Sequence, residues 1–324
     1  MEKVFPFLYK KRTYRDKDFN IAELSHTQTE QNAQNHIQTY VFPHILRFTV
    51  PSLTHLRVSA SNIYVIGDKR KYILDPGAKD LQALSGLEEY IQNNIALMEG
   101  ILINHHHEPT CNFAKYLKEE YNLPIYASEY TAKILEEKGI VVSQTLKDGD
   151  FIELGDYKSI GYKSLFKKEW GIKVISLPGH TKGLLGFYDT RKILLVGGNL
   201  LKETVCLIDH KTGSATCYVN SLEKILSLSV KYGLLGEGGI LDNVKKNIKA
   251  NKENIKHRTK FLYKAIKQGI NSNQDLLEIT EKDLPSHYKR HASNILETDL
   301  KILKNKGKII QRGTYSFISK SIEK

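Results

Sequence analysis

The densest chemistry in the chain is carried by Asn104-His105-His106-His107-Glu108-Pro109-Thr110-Cys111. His105 and His107 are two apart, so on an extended segment their rings project to the same side. Two imidazoles on one side are the minimum for a zinc or iron site. The same residues also read as a solvent-exposed polar loop, and both readings stay open at this point. His106 alternates to the opposite side and reads as a supporting or surface residue. Glu108 is a carboxylate within reach of the cluster. Cys111 reads as a small buried helix residue rather than a ligand.

Three shorter motifs follow. Leu177-Pro178-Gly179-His180-Thr181 has a Pro-Gly turn that presents a histidine. Val196-Gly197-Gly198-Asn199 closes an apolar run, and Gly236-Glu237-Gly238-Gly239 is a flexible turn with one carboxylate. Each is weak alone. His55, His210, His257, His287 and His291 have no partner pattern and read as non-catalytic. Asp148-Gly149-Asp150 reads as a hairpin turn, because it lacks the ligand spacing of a calcium loop. No Gly-rich phosphate loop or nucleophile elbow is present.

The elements that must position these motifs follow from hydrophobic periodicity. Strands are expected at 45–50, 62–68 and 71–77, the last ending in the turn Asp75-Pro76-Gly77. A helix is expected over 81–96, followed by the short apolar strand that runs into the histidines. Helices over 113–121 and 130–139 flank a strand at 124–128. Strand signals return at 148–157, 172–180, 183–191 and 192–198, and helices at 221–230 and from about Asp242. Early strands, a helix–strand middle and late strands imply an α/β fold with helices outside mixed sheets. The histidine cluster, the Pro178-Gly179-His180 turn and Val196–Asn199 sit at the ends of strands, where such folds place their chemistry.

In this order the motifs resemble the metallo-β-lactamase superfamily. Ser61-Asn62-Ile63-Tyr64-Val65-Ile66-Gly67 is similar to its early Asn-x-Tyr-Leu-Ile-Gly strand, Ile73-Leu74-Asp75-Pro76-Gly77 to its Asp-Pro-Gly turn, and Lys147-Asp148-Gly149-Asp150 to its hairpin. The resemblance spans residues 45–245 and implies an αββα sandwich. The C-terminal segment resembles the helical extension of the β-lactamase-like endoribonuclease branch, whose chains end in a winged-helix-like domain. The organisation implied is an N-terminal arm (1–44), a metallo-β-lactamase-like domain (45–250) and a basic winged-helix-like domain (251–324).

The resemblance implies that His105, His107 and His180 hold one metal ion, zinc in the first instance. It also shows where the chain departs from the family. The aspartate and histidine that close the first motif are replaced by Pro109 and Thr110, the bridging aspartate by Asn199, and the last histidine by Glu237. Proline offers no ligand atom and threonine is a poor one for zinc. Asn199, Glu237 and Glu108 remain as weak or supporting groups. Asp75 is expected to hydrogen-bond a ligand imidazole and fix its tautomer. The implied activity is a metal-dependent hydrolase with an incomplete second site, in which water attacks an ester, thioester or phosphodiester. The alternative is a catalytically degenerate scaffold that binds nucleic acid or a protein partner. A competent two-metal nuclease fits less well than either.

Composition bounds the remainder. The net charge is +12, and residues 251–324 hold 16 Lys and Arg against 8 Asp and Glu. That excess favours RNA or another polyanion, contacted by Lys289, Arg290, Lys301, Lys304, Lys308 and Arg312, although a lysine-rich surface explains it equally. No run of about 18 apolar residues is present, so no membrane span is expected. Three cysteines without zinc-knuckle spacing suit a reduced compartment, the cytoplasm or the mitochondrial matrix. Residues 1–45 are polar, rich in Gln, Asn and His from 27 to 38, and read as an irregular arm.

Overall fold

The computed structural model describes residues 37–51, 60–161, 169–202, 206–283, 289 and 291–319. Two sheets form the body. The first is seven-stranded: β1 (Ile37–Phe42), β2 (Ile45–Pro51), β3 (Ala60–Ile66), β4 (Lys71–Leu74), β5 (Met98–Leu102), β6 (Ile125–Ser128) and β7 (Gln144–Leu146), adjacent in that order. Pairing is antiparallel up to β4 and parallel from β4 onward. The switch follows from the connections. The early strands are joined by short links, whereas parallel neighbours need crossovers. Helices α1 (Ser85–Asn94), the short α2 (Glu108–Cys111) with α3 (Ala114–Tyr121), and α4 (Glu129–Glu137) supply them.

The second sheet is five-stranded: β8 (Phe151–Asp156), β9 (Glu169–Ser176), β10 (Leu185–Asp189), β11 (Ile193–Gly197) and β12 (Tyr232–Leu235). Helix α5 (Ala215–Ser227) crosses over from β11 to its parallel neighbour β12.

Period-two alternation makes the layers. On β3, Ile63 and Val65 join Leu84, Leu87, Ile91 and Leu117 of the helical layer. Tyr64 and Ile66 face the other way, into the space between the sheets, with Trp170, Ile172, Val174 and Phe187. On β11, Ile193 and Leu195 point into this same inter-sheet core, while Leu194 and Val196 pack beneath Tyr218, Leu222 and Ile225 of α5. One residue of slip would reverse every one of these assignments, so the register is strongly specified. The result is the helix–sheet–sheet–helix sandwich expected from the motifs.

Strand β1 departs from the expectation of an irregular arm up to residue 44. Five of its six residues pair antiparallel with β2, with a bulge at Val41 between Tyr40 and Phe42. The sequence signal is weak because the strand is short and its polar neighbours dominate the local composition. The pairing instead supplies backbone hydrogen bonds to the exposed edge of β2.

Beyond the sandwich, α6 (Val244–Lys267) runs unbroken through residue 250. Its first half contributes Val244, Ile248 and Ile255 to the core beneath α5. Its second half contributes Leu262, Ala265 and Ile266 to a separate small core with α7 (Asn273–Asp283) and α8 (Ala292–Asn305). An antiparallel ribbon, β13 (Ile309–Arg312) and β14 (Tyr315–Ile318), closes this unit. Arg258 on α6 and Asp299 on α8 form a two-pronged pair at 2.7 and 2.9 Å, both side chains nearly fully buried. A buried pair with this geometry fixes how two helices sit against each other. Among the described residues no helix is long and apolar enough to cross a membrane.

Candidate metal centre

The apolar strand β5 delivers Asn104 and the histidines to one end of the sandwich. Asn104 is fully buried and fastened on several sides. Its N–H donates to Asp75 Oδ1 at 2.7 Å, its carbonyl accepts from Leu185 N at 3.0 Å, and its amide donates to the Leu185 carbonyl. Gly197 is what allows this. It has φ +54, and a Cβ there would meet Asn104 Oδ1 at 2.1 Å. His180 arrives on the turn after β9, which Gly179 N closes by donating to Thr181 O at 2.9 Å.

His105, His107 and His180 converge. Their ring centroids are 4.6 to 4.8 Å apart, and each offers a ring nitrogen within 4.8 Å of the others. His107 Nδ1 and His180 Nε2 are 2.9 Å apart. Two nitrogens on one tetrahedral zinc would lie about 3.3 Å apart, from Zn–N bonds of about 2.0–2.1 Å. The cluster is therefore close to ligand spacing.

The second nitrogen of each ring is engaged elsewhere. His105 Nδ1 lies 3.2 Å from Asn104 Oδ1, His107 Nε2 lies 3.2 Å from Asp209 Oδ2, and His180 Nδ1 meets the Leu207 carbonyl. All three outer partners are acceptors, so each outer nitrogen carries the proton. The other nitrogen of each ring faces the cluster. Tautomers here are inferred from the hydrogen bonds. Burial pushes His105 well below the usual histidine range, and burial reinforced by His107 lowers His180 to about 3. Both rings are neutral at physiological pH, as ligand imidazoles must be.

Asp209 was not found by sequence reasoning. It sits in a polar loop with no motif, 102 residues from its partner His107. The hydrogen bond from His107, aided by the Thr212 and Lys211 N–H groups, holds its carboxyl well below the usual range. It is therefore a permanent acceptor that orients the ring and a poor proton acceptor in chemistry.

The other expected site residues separate. Asp75 lines the cavity, but its Oδ1 takes the backbone N–H of Asn104 rather than an imidazole. It supports the strand end that carries the histidines. Asn199 is fully buried and spent on the backbone. Its Oδ1 accepts from His180 N at 3.4 Å and its Nδ2 donates to Leu177 O at 3.2 Å. Glu237 lines the cavity outside the three-histidine cluster. Glu108 is exposed on the first turn of α2 and does not line the cavity, so proximity in sequence misled there. Cys111 is buried, with burial pushing its thiol up to about 12, and it faces the His107 carbonyl at 3.3 Å. His106 is 4 % exposed, not at the surface, and packs against His107 and Tyr130. With His107 and Asp209 it forms a second ligand-type grouping, which shares one histidine with the first centre and has Lys138 Nζ on the His106 carbonyl.

The centre opens into a cavity of about 490 Å³. Pro109 and Thr110 form part of its wall, and His210, Lys211, His291 and Asn294 form another part, the last two from the C-terminal unit. Of the basic residues expected to meet polyanions, Lys289, Lys304 and Arg312 are exposed. Lys301 donates to the His210 carbonyl at 3.1 Å, and Lys308 lies over the Tyr263 ring. Arg290 lies outside the described residues, as do His55 and His287.

Asp75 gives a stability prediction. Burial pushes its carboxyl up to about 8. In the unfolded chain the group is charged above about pH 4. Between these values the folded state binds more protons, so stability falls as pH rises. Urea melts of the metal-free Asp75→Asn protein are expected to lose less stability than wild type from pH 5 to pH 8, because an amide can still accept the Asn104 N–H. Parallel losses in the two proteins would refute the assignment.

No protein-family profile matches the sequence. Among curated proteins, it is 26% identical over 118 residues to hydroxyacylglutathione hydrolase of Bdellovibrio bacteriovorus, covering 36% of this chain and 40% of that one. It is 31% identical over 113 residues to exodeoxyribonuclease YycJ of Bacillus anthracis, covering 33% and 41%. These matches span only about two fifths of either relative. Among solved structures, a β-lactamase domain protein from Burkholderia ambifaria aligns with TM-score 0.71 at 14% identity, over 88% of this chain and 94% of that one. A metallo-β-lactamase family protein from Thermus thermophilus aligns with TM-score 0.67 at 17% identity, over 86% and 100%. Matches this long cannot be contained in residues 1–250, so they take in part of the C-terminal helical unit. Over most of its length, this chain has the metallo-β-lactamase fold.

Proposed function

We propose that the chain is a hydrolase built around a single metal ion held by His105, His107 and His180. The observation that carries this reading is the set of outer hydrogen bonds to Asn104, Asp209 and Leu207, which turns three ring nitrogens toward one point. An all-imidazole set with supported outer nitrogens suits zinc. When bound, zinc supplies Lewis acidity and makes water acidic enough to attack near neutral pH. The chain's own contribution is to hold the donors in place and to enclose the reacting bond in the cavity beside Pro109 and Thr110.

One ion rather than two is favoured by what surrounds the centre. Pro109 has no donor, and both ends of the Asn199 amide are committed to the backbone. The substrate class is an ester, thioester or phosphodiester. The two curated relatives are by name a hydroxyacylglutathione hydrolase and an exodeoxyribonuclease. The test is a panel of simple aryl esters, acyl-thioesters and bis-aryl phosphodiesters, assayed with zinc-loaded, chelator-stripped and zinc-restored protein. Turnover that disappears on stripping and returns on restoration is expected for one class. Turnover indifferent to metal throughout, or none on any substrate by a fully loaded protein, would overturn the reading.

A second reading has its own observation. On the ribbon, Ile310, Arg312, Tyr315 and Phe317 share the outer face, and Tyr315 and Phe317 stack with centroids 6.4 Å apart. Ile310, Tyr315 and Phe317 are all exposed, so the ribbon presents a contiguous apolar patch rather than a single ring. An aromatic pair beside a cation suits bases of a single strand. Three helices followed by a ribbon is also the order of a winged helix. Under this reading the C-terminal unit binds a single-stranded nucleic acid, with affinity that falls with salt and with Tyr315→Ala.

A further inference from the structure

Helix α8 reaches the metal centre through one loop. Asn294, Thr298 and Lys301 are spaced by four and three, so they share one face of α8. All three grip residues 208 and 210. Asn294 Nδ2 donates to Ile208 O at 2.8 Å, and its Oδ1 accepts from His210 N at 2.8 Å and from His210 Nδ1 at 3.0 Å. Thr298 Oγ1 donates to Ile208 O at 3.4 Å, and Lys301 Nζ to His210 O at 3.1 Å. The intervening residues turn the other way. Leu207 gives its carbonyl to His180 Nδ1, and Asp209 gives its carboxylate to His107 Nε2 while its N–H donates to His180 O at 3.1 Å. The segment 207–210 is a two-sided strip, gripped by α8 on one side and supporting two of the three histidines on the other.

The local bonds of the strip centre on Asp209, whose Oδ1 accepts from Lys211 N and Thr212 N and whose carbonyl accepts from Gly213 N, while Ile208 O and the backbone of His210 are held by α8. Residues 206–209 have no regular secondary structure, so few backbone bonds resist a shift. Helix α8, by contrast, is locked to α6 by the buried Arg258–Asp299 pair. Rigidity therefore passes from the C-terminal unit into the sandwich through Asn294, which makes the most contacts with the strip and also lines the cavity.

We propose that Asn294 is a positioning residue for the metal centre: through Ile208 and His210 it sets where Leu207 and Asp209 stand, and so fixes the tautomer and aim of His180 and His107. The inference rests on the reading that the three histidines hold a metal. Outer partners of ligand histidines change metal affinity by about 10–100-fold when removed. Asn294 acts one step further out, so Asn294→Ala should weaken zinc by about five- to tenfold. Asn294→Asp keeps the acceptor for His210 and loses the donor to Ile208, and should fall between the alanine variant and wild type.

The test uses the full chain. Zinc dissociation constants are measured by competition with a chromophoric chelator, and the cobalt-substituted proteins are compared by visible absorption, which reports the geometry of the ligand set. Thr298→Val provides a milder second break in the same grip. Leu276→Ala, in the small C-terminal core away from the strip, reports what loss of stability alone does. The expected order of affinity is wild type, then Asn294→Asp, then Asn294→Ala, with a changed cobalt spectrum in the last and wild-type behaviour in Leu276→Ala. If Asn294→Ala unfolds, Asn294→Asp and Thr298→Val carry the same comparison. Folded Asn294 variants with wild-type affinity and spectrum would overturn the inference while leaving the metal reading intact, as would an equal shift in Leu276→Ala. Wild-type protein that binds neither metal overturns the metal reading, and this inference with it.

Discussion

A His180→Ala chain is expected to bind zinc at least 1,000-fold more weakly than wild type, a loss of about 4 kcal/mol. Two effects act together. The ion loses one of three donors, and two imidazoles alone are an incomplete zinc set. The strip that supports His107 also loses one of its two ties to residue 180, the ring contact with the Leu207 carbonyl, while the bond from Asp209 N to the residue-180 carbonyl is kept. Stability of the metal-free protein should fall only modestly, because Leu207 lines the cavity and its carbonyl keeps the Cys206 thiol as a donor at 3.2 Å. His257→Ala, at an exposed position on α6, is the control and should leave affinity unchanged. Competition titrations with circular dichroism of each variant separate the two quantities. Wild-type affinity in folded His180→Ala protein would remove this histidine from the ligand set.

Asp209→Asn is expected to weaken zinc by about 10–100-fold. The change is nearly isosteric, and an amide oxygen can still accept from Lys211 N and Thr212 N, which now bond Oδ1 at 2.7 and 3.0 Å. The difference lies at the other atom. A carboxylate oxygen accepts from His107 Nε2, whereas an amide nitrogen donates to it. The ring's proton then moves to Nδ1, the nitrogen that faces His180 Nε2 at 2.9 Å. The substitution thus converts a lone pair into an N–H at the point where the ion must sit. Unchanged affinity would mean that Asp209 is a surface partner of His107 and nothing more.

The convergence of the three histidines was legible because His105, His107 and His180 each follow a short apolar strand, and such signals are local. His105 and His107 share a side through simple alternation, and His180 is presented by Pro178-Gly179. The supporting groups were not legible for the opposite reason. Asp209 and Leu207 meet the histidines only because β11, α5 and α8 bring a patternless loop across the cluster. Asp75 was placed in the right neighbourhood with the wrong partner, since residue type cannot say whether a carboxylate faces a ring or a backbone N–H. Glu108 failed in the same way. It is next to a ligand in sequence, but α2 begins there and turns it to solvent. Asn199 was singled out by residue type alone, and that type could not say that both ends of its amide meet backbone groups. In the C-terminal unit, a helical extension was implied by the resemblance, but the role of Lys301 was not legible, because its partner is a backbone carbonyl of the sandwich.

The central claim is one metal ion on three histidines. Its most direct test is metal content per chain, by elemental analysis after saturation with zinc and removal of the excess, for wild type beside a His105→Ala/His180→Ala double variant. About one zinc per wild-type chain and none in the folded double variant is the predicted result. Zinc absent from wild type, or retained equally by the double variant, would contradict it.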